Sequence, residues 1–489
     1  MKKIAALFLL AAPLAAAVAQ TNAPAARPLS LDECIAEALQ HNFDVRYERY
    51  EPQKSLLNLH AAYAGYDPAF SLSGKNTHST AGGIFANTNA PVADSHVLGS
   101  DLKGGTPWGM TYDLGGNATD AYGTGGENTG GSVGLTVTQP LLQGLVTDET
   151  RLGIGVAKNR LKFSEQSLRQ QFITTVTAVE NAYYELIYAR DNLTVQQQAL
   201  ELAQTQLDDD KKRVQFEMLA ERGGTIEQDE AQVAQSRANL IAAQFALAQD
   251  ENALKNLITD NYPQWHDVDI IPATALKAAR NFFDVQDSWS KGMGQRPDLL
   301  QAKLNLEQQG IQLKYDRSQI LPQLDLSASY GYNGAGKEFS DAFGQYATAN
   351  RPYYNYGASL SIPLGNLKAR NGYKADQAIE QQELLKLKQL EQNAMVQIDN
   401  AVKQAQSAWE SVDATQKSRR YAEAALQAEQ GKYSAGKSTT FTVLQLQNNL
   451  TSARSKEIRA LADYNEALAN LAQQEGTTLE HHKLDLLAK

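Results

Sequence analysis

The sequence predicts a mixed, mainly α-helical fold in which long antiparallel helical hairpins are joined to a few β-strands, and in which the whole pattern occurs twice. Three observations support this prediction. Matching segments recur in the same order in the two halves of the chain. Two stretches of about 70 residues carry apolar side chains at helical spacing and almost no helix breakers. Short segments with strict two-residue alternation lie between them, which is typical of strands.

The composition and the first residues indicate an exported protein. The chain has 489 residues, 20% of them charged, and a net charge of −10, a balance that gives no support for a nucleic-acid partner. Residues 1–19 combine two lysines, an apolar run and a small-residue cleavage site, so we expect a secretory signal peptide. No later run of about 18 apolar residues predicts a membrane-spanning helix. An exported chain of this kind is periplasmic, secreted or an outer-membrane β-barrel.

The only cysteine, Cys34, lies in the first predicted helix, "LSLDECIAEALQHN". It lies too far beyond the cleavage site to carry a lipid anchor, and a single cysteine excludes a disulfide within the chain. Its place on the apolar face of the helix predicts a buried thiol.

Paired prolines mark the duplication. Pro68 matches Pro322 at a separation of 254 residues, and Pro140 matches Pro363 at a separation of 223 residues. The first copy therefore carries a longer insertion between its prolines. Each copy contains, in order, a helix, a strand, a loop, a strand, a long helix, a turn and a long helix. Proline cannot continue a helix or a sheet ladder, so we expect all four at strand–helix junctions.

The four alternating segments have the composition of membrane strands. In "LPQLDLSASYGY", Leu324, Leu326 and Tyr330 share one face, whereas small and polar residues occupy the other. Such a polar face suits the wall of a water-filled lumen, and tyrosines gather near the loop end. The alternative is a soluble sheet with one face on a core. Since four strands cannot close a barrel and lipid does not tolerate open edges, we expect three chains with about 12 strands.

An insertion rich in glycine, asparagine and threonine, at about residues 79–131, interrupts the first strand pair. It is longer than an ordinary loop. We expect a cap or a strand extension outside the cell, with a hairpin near Gly104 to Pro107. The alternative is that the insertion adds two strands per chain to the barrel.

The long helical segments predict two hairpins per chain. The first runs over residues 144–216 and returns over 225–258, and the second runs over 368–433 and returns over 439–473. At ~1.5 Å per residue, each outgoing helix is a rod of about 100 Å. Three chains would supply enough long helices for an α-helical tube, an α-barrel, below the β-barrel.

Together, these segments resemble the TolC-like outer-membrane efflux family. The resemblance is carried by "LSLDECIAEALQHNFDV", "RPDLLQAKLNLEQQGIQLKYDRSQILPQLDLSASYGY", "SLSIPLG" and "KYSAGKSTTFTVLQLQNNLTSAR". It implies a homotrimer with a 12-stranded transmembrane β-barrel in outer-membrane lipid and a helical tunnel across the periplasm. It also implies a passive duct in a tripartite efflux or type I secretion system, with a periplasmic adaptor and an inner-membrane pump or secretion ATPase as partners. A soluble periplasmic coiled-coil scaffold or binding protein is the alternative.

On this basis we expect nine segments. They are a signal peptide (1–19), N-terminal equatorial helices (20–65), a first β-hairpin with the long extracellular insertion (66–140), a first periplasmic helical hairpin (141–258), an equatorial linker (259–295), a helix of the second repeat (296–320), a second β-hairpin (321–364), a second periplasmic helical hairpin (365–473) and a C-terminal tail (474–489).

The segment "GKYSAGKS", residues 431–438, fits the pattern of a nucleotide-binding loop, but its surroundings do not. Such a loop joins a buried strand to a helix, whereas a predicted helix precedes Gly431. We therefore expect a turn between two helices, with Gly436 at a positive φ. No pattern in the chain predicts catalytic residues or a metal site, so we expect no enzyme activity and no cofactor.

The resemblance places an adaptor contact at this turn, which would form the periplasmic tip of the second hairpin. We expect Gly436, Lys437 and Ser438 to make the contact, with Leu219 and Ala220 in the matching place of the first copy.

The narrowest point of the duct is expected just past the same turn. Family members often carry a ring of acidic residues there, whereas this chain has Thr442 and Gln445 at the matching positions. We expect these two neutral residues to line the constriction. Alternatively, Glu227 and Asp229 of the first copy set it.

Overall fold

The computed structural model describes residues 26–80, 92–123, 126–217 and 223–484. The predicted signal peptide and the first-copy residues Leu219 and Ala220 lie outside these ranges. Contacts divide the chain into two compact units. Of the described residues, the tip unit comprises those up to Asn42, those in Ala178–Ala278 and those in Ser411–Glu466. The sheet unit comprises those in Phe43–Thr177, those in Ala279–Glu410 and those from Ala467 onward.

The elements include those that the duplication predicts, in the predicted order, together with further short elements. The strands are β1 Ala26–Leu29, β2 Ala69–Thr80, β3 Val92–Gly105, β4 Thr111–Gly123, β5 Gly126–Pro140, β6 Asp269–Pro272, β7 Gln323–Gly336 and β8 Pro352–Ser361. The helices are α1 Leu31–His41, α2 Phe43–Glu48, α3 Tyr50–Ala62, α4 Glu149–Glu217, α5 Gly223–Ile258, α6 Tyr262–Trp265, α7 Val285–Gln295, α8 Pro297–Gln319, α9 Phe339–Thr348, α10 Leu367–Ser434, α11 Thr440–Glu475 and α12 Thr478–His481.

The predicted long helical hairpins are confirmed. The outgoing helices α4 and α10 contain 69 and 68 residues, and the returning helices α5 and α11 contain 36 residues each. Over the described ranges, no helix combines the length and the apolar character needed to cross a membrane.

Helix α1 begins at a complete capping box. The Ser30 hydroxyl accepts a hydrogen bond from the backbone N–H of Glu33, and the Glu33 side chain accepts one from the backbone N–H of Ser30. One face of the helix buries Cys34, Ile35 and Ala38. Burial raises the pKa of the Cys34 thiol to about 12, so the predicted core thiol is confirmed.

A short parallel strand pair in the tip unit has no signal in the sequence. Strand β1 pairs with β6, with Ala26 opposite Asp269. The fully buried Tyr183 of α4 donates a hydrogen bond from its hydroxyl to the Leu29 carbonyl oxygen at 3.0 Å. Strands of four residues are too short to show alternation, and β6 lies in the segment that we expected to be a linker.

The sheet unit contains one antiparallel sheet with the strand order β2-β3-β4-β5-β7-β8. One cross-strand row is apolar throughout and contains Phe70, Leu102, Leu114, Leu135, Tyr330 and Tyr354. The adjacent row on the other face is mostly polar and contains Lys103, Asp113, Thr136, Ser329 and Asn355. The apolar face is open, since Phe70 is 71% exposed and Tyr354 is 75% exposed. The predicted alternation of an apolar and a polar face is therefore present.

The sheet has six strands, two more than the four that we predicted. The additional strands, β3 and β4, are the insertion, and they lie between β2 and β5. Their turn contains Thr106 and Gly109, whose φ of 86° requires glycine. The hairpin expected near Gly104 to Pro107 therefore exists, but it is part of the sheet. The alternation is hard to read in β3 and β4 because glycine, serine and asparagine occupy many positions on both faces.

A helix that the sequence analysis did not predict packs on the sheet. Helix α9, in the connection from β7 to β8, contacts β4, β5 and β7. Its Ala342 is fully buried, and the Tyr346 hydroxyl donates to the Asn117 carbonyl oxygen at 3.4 Å. Gly131 and Gly334 provide the space, since a Cβ on either would collide with Tyr346.

The four duplicated prolines lie at the ends of strands. Pro68 and Pro322 directly precede β2 and β7, Pro140 ends β5, and Pro363 follows β8.

Candidate functional site at the tips of the helical hairpins

The turn between α10 and α11 has a well-defined C-terminal cap. The Lys437 N–H donates to the Lys432 carbonyl oxygen at 2.9 Å, and the Gly436 N–H donates to the Tyr433 carbonyl oxygen at 3.0 Å. This pair of bonds is a Schellman motif, which satisfies carbonyl groups that a helix end leaves without partners. Gly436 has a φ of 71°, as the sequence predicts for this turn.

The side chains around the turn make local contacts that fix its shape. The Ser438 hydroxyl donates to the Glu429 carboxylate, which also pairs with the Lys432 ammonium at 2.8 Å. The contact with Lys432, followed by that with Ser438, lowers the pKa of Glu429. Gly436 and Lys437 are exposed, and Ser438 is half-buried. The sequence that resembles a nucleotide-binding loop therefore connects two helices, with no strand before it.

The residues expected at the constriction occupy one face of α11. Thr442 is half-buried, and its hydroxyl lies 3.0 Å from the Thr439 hydroxyl at the start of the helix. Gln445, one turn later, is exposed. In the first copy, Glu227 is exposed, whereas Asp229 is 0% exposed and lies inside the packing of the tip unit.

A buried carboxylate joins the two hairpins of the chain. Asp210 of α4 is 4% exposed and accepts hydrogen bonds from the Tyr433 hydroxyl, from Thr440 Oγ1 at 2.9 Å and from Gln206 Nε2 at 3.0 Å. Tyr433 lies in the last turn of α10 and Thr440 begins α11, so both belong to the second hairpin. Three donors from α4, α10 and α11 therefore converge on this one carboxyl group.

Asp229 of α5 lies beside Asp210 but has none of these partners. Within the described part of the chain, neither carboxyl oxygen of Asp229 has a hydrogen-bond donor. Burial, with the negative charge of Asp210 as a smaller cause, raises the pKa of Asp229 to about 7. At neutral pH, Asp229 can therefore hold or release a proton inside the tip.

Asp210, Tyr433 and Thr440 were not predicted from the sequence, and Asp229 was expected only as an alternative constriction residue. A signal was available for Asp229. It lies three residues after Ile226 and four before Val233, which places it on an apolar helical stripe where a carboxylate is unusual. The contact of Asp210 with Tyr433 joins residues 223 apart in the chain and has no local signal.

Comparisons with known proteins agree with this architecture. The family model described as outer membrane efflux protein matches residues 109–259 and 290–477. The chain is 24% identical over 313 residues to the pyoverdine export outer membrane protein OpmQ of Pseudomonas aeruginosa. That match covers 62% of this chain and 61% of the relative, so it spans less than two thirds of the relative's length.

Two solved structures show the same fold. The structure of CusC superposes with a TM-score of 0.68 at 17% identity, covering 91% of this chain and 92% of CusC. The outer membrane protein VceC of Vibrio cholerae superposes with a TM-score of 0.67 at 18% identity, covering 91% of this chain and 96% of VceC. Since the family model covers both repeats, including both helical hairpins and their tips, the chain belongs to the outer membrane efflux protein family.

Proposed function

We propose that three copies of the chain form a passive duct across the outer membrane and the periplasm, as the outer component of a tripartite efflux or type I secretion system. The observation that carries this proposal is the sheet, whose edge strands β2 and β8 each pair with one neighbour within the described chain. A sheet in lipid must close, because unpaired backbone groups have no water to bind. Other copies of the chain can provide that closure.

The strands have the dimensions and the surface that the outer membrane requires. The six strands of the sheet contain 10 to 15 residues, and about 9–11 tilted residues cross a bilayer. The exposed apolar row suits contact with lipid, and the polar row suits a lumen. With six strands per chain, three copies give about 18 strands if β3 and β4 are part of the wall, in place of the 12 expected from four strands.

The helices supply the periplasmic part of the duct. Helices α4 and α10 each extend about 100 Å at ~1.5 Å per residue. Two hairpins per chain give three copies six similar tips, which a periplasmic adaptor can contact end to end. We propose that Gly436, Lys437 and Ser438 make this contact, with Leu219 and Ala220 at the first tip. An inner-membrane pump or secretion ATPase would then deliver the substrate.

Two measurements test the duct. Protein extracted from outer membranes in detergent should have the mass of three chains and should conduct ions across a planar bilayer. A folded monomer recovered from the periplasm without detergent would instead support a coiled-coil scaffold or binding protein. A reconstruction of the trimer would count the strands directly.

The substrate needs a separate experiment. One relative is named a pyoverdine export protein, so pyoverdine is one cargo to test. A deletion strain should be compared with the complemented strain for pyoverdine release and for susceptibility to drugs and metals. A change restored by complementation identifies the cargo class, and the same change should follow deletion of the partner pump.

A further inference from the structure

The carboxyl groups of Asp210 and Asp229 form a buried acidic pair that the proposed duct does not use. Asp210 lies on α4 and Asp229 on α5, so the pair joins the two helices of the first hairpin. Asp210 is 4% exposed and Asp229 is 0% exposed. Two ionised carboxylates side by side without water repel each other strongly, so one of them must hold a proton or bind a cation.

The hydrogen bonds assign the proton to Asp229. Tyr433, Thr440 and Gln206 all donate to Asp210, so the acceptor positions of Asp210 are already largely used. Asp229 receives no donor from the described residues, so its ionised form would be buried without compensation. A protonated Asp229 can donate its proton to a carboxyl oxygen of Asp210, so that one bond replaces the repulsion between two negative charges.

The nearby charged groups do not change this assignment. On α4, Lys211 pairs with Glu230 of α5 at 3.1 Å, which neutralises both. The side chains that reach the pair from α10 and α11, Tyr433 and Thr440, are uncharged. Among the side chains that the structure describes, no cation forms an ion pair with either aspartate.

The second repeat shows what this position requires. Asp229 corresponds to Leu446, at the same 217-residue separation that relates Arg237 to Arg454. Leu446 packs against the buried cluster that contains Val443 and Leu450. The equivalent position in the second repeat therefore holds an uncharged side chain. A protonated Asp229 is also uncharged, whereas an ionised Asp229 is not.

We propose that Asp229 is a proton-binding residue whose occupancy sets how firmly the two hairpins of one chain are held together at the tip. With the proton bound, Asp210 keeps its contacts to Tyr433 and Thr440. When the proton leaves, the repulsion between the two carboxylates is relieved only if α5 moves away from α4 or water enters. Either change disturbs the carboxylate that holds the second hairpin. The tip is therefore firm in acidic surroundings and loosens as the pH rises to neutrality.

Hydrogen exchange of the full-length protein in detergent tests this proposal without relying on transport. Peptides covering residues 226–236 and 440–450 are followed from pH 5.5 to pH 8.5, with the intrinsic chemical rate divided out. In the opened tip the carboxyl of Asp229 returns toward its ordinary pKa, so opening releases a proton: it becomes about tenfold easier per pH unit below the raised pKa and stays constant above it. We therefore expect the opening of both peptides to increase by about tenfold or more between pH 5.5 and pH 7 and to level off by pH 8.5.

Three variants isolate the proton. Asp229→Asn can donate to Asp210 at any pH, so it should stay as protected at pH 8.5 as the wild type is at pH 5.5. Asp229→Leu places at this position the leucine found in the second repeat, so its hydrogen exchange should also not change with pH. Asp209→Asn removes an exposed carboxylate next to the pair, so its hydrogen exchange should change with pH as in the wild type.

Three outcomes would overturn the proposal. One is a wild-type tip whose corrected exchange does not depend on pH. A second is an Asp229→Asn variant whose hydrogen exchange still changes with pH as in the wild type. The third is restoration of wild-type protection at pH 8.5 by calcium, abolished by EDTA and absent in Asp229→Asn, which would make the pair a cation site instead.

Discussion

At the scale of single residues, backbone conformation decides what the second tip can tolerate. Gly436 has a φ of 71°, yet a Cβ added there would meet no atom within 4 Å. Any penalty for a side chain is therefore conformational and not steric. Gly431, five residues earlier, lies inside α10, and a Cβ there also meets nothing within 4 Å.

This contrast gives a matched pair of substitutions. Gly436→Ala should destabilise the last turn of α10 by about 1 kcal/mol, because alanine disfavours the left-handed region. Gly431→Ala should stabilise the same turn by up to about 1 kcal/mol, because glycine is a poor helix former. Hydrogen exchange of the amides of residues 428–434 measures both. Equal effects of the two changes would contradict the role assigned to the turn.

The sequence could predict Gly436 because a glycine between two helical patterns has a local signature. It could not predict the acidic pair in the same way. The donors to Asp210 come from the other repeat, and the burial of Asp229 depends on the packing of helices that are distant in sequence. Of the residues expected at the constriction, Thr442 and Gln445 lie on one face of α11, and their place in a lumen stays a prediction.

At the scale of elements, one arginine organises the contact between α4 and α11 in the tip unit. Arg459 donates to Glu185 at 2.7 Å, to Asp463 at 2.6 Å and to Glu466 at 3.0 Å. It also lies over the ring of Tyr188 at 4.8 Å. One cation faces three carboxylates, and burial is the main cause that raises the pKa of Glu466 to about 7.

The raised pKa of Glu466 determines whether the stability of the chain rises or falls with pH. Its folded-state pKa lies above its ordinary value, so the folded chain binds this proton more tightly than the unfolded chain. The stability that it contributes is present below about pH 4.5 and is lost as the pH rises through about 7. Removing Arg459 leaves three carboxylates without their cation, so the free energy of unfolding should then fall more steeply as the pH rises.

Arg459→Gln should therefore lower the free energy of unfolding by about 2 kcal/mol at pH 8 and by less at pH 6. Adding Glu466→Gln should restore part of the loss at pH 8, because one buried charge is gone. Thermal unfolding in detergent, followed by circular dichroism at both pH values, measures the effect. Arg454→Gln, which removes contacts to Gln198 and Glu423, is the control and should show little pH dependence. A pH-independent loss in Arg459→Gln would count against the network.

Helix α9 offers a second test at this scale. In Gly334→Val, the added Cβ would lie 2.5 Å from Tyr346 Cε1 and would also collide with the Ala342 carbonyl oxygen, so α9 must move. Trypsin should then cleave at least about tenfold faster after Lys337 and Arg351, which flank the helix, because a displaced helix exposes its connections. Gly357→Val, where the nearest atom is Ser327 Oγ at 4.0 Å, should leave cleavage unchanged. Equal cleavage in both variants would show that α9 does not depend on the glycines.

The strands and helices were predictable to different degrees. The long helices and the strands β7 and β8 have clear periodicity, so the sequence located them to within a few residues. Strands β3 and β4 were expected only as a hairpin in an extracellular insertion, with two further barrel strands as the alternative, because their many glycine and polar residues obscure the apolar alternation. Helix α9 was not predicted because it is a short helix in a connection. The pairing of β1 with β6 depends on tertiary contact alone.

At the scale of the whole molecule, the charge of the proposed entrance determines conduction. With neutral Thr442 and Gln445 at the narrowest point, we expect weak block by divalent cations. Thr442→Asp combined with Gln445→Asp should lower the conductance in a planar bilayer and add sensitivity to Mg²⁺, because a ring of carboxylates binds divalent cations.

Glu227→Ala separates the two proposed positions. It should leave the conductance unchanged if the second copy forms the constriction. Unchanged conductance in the double variant, together with a rise in Glu227→Ala, would place the constriction in the first copy. The full burial of Asp229 favours Glu227 as the exposed acid to examine there.

The pairing of β5 with β7 also sets the order in which the strand pairs of the sheet form during folding. Strands β2 to β5 are neighbours in sequence and can pair as soon as they are made, whereas Thr129 must wait for Gly336 and Pro140 for Asp325. Contacts between such distant residues form late, because closing a long loop costs entropy. Until then, β5 presents an open edge that the β7–β8 hairpin of any identical chain fits equally well. We therefore expect misassembly to occur by exchange of that hairpin between newly made copies, and fast local completion of each chain to reduce it.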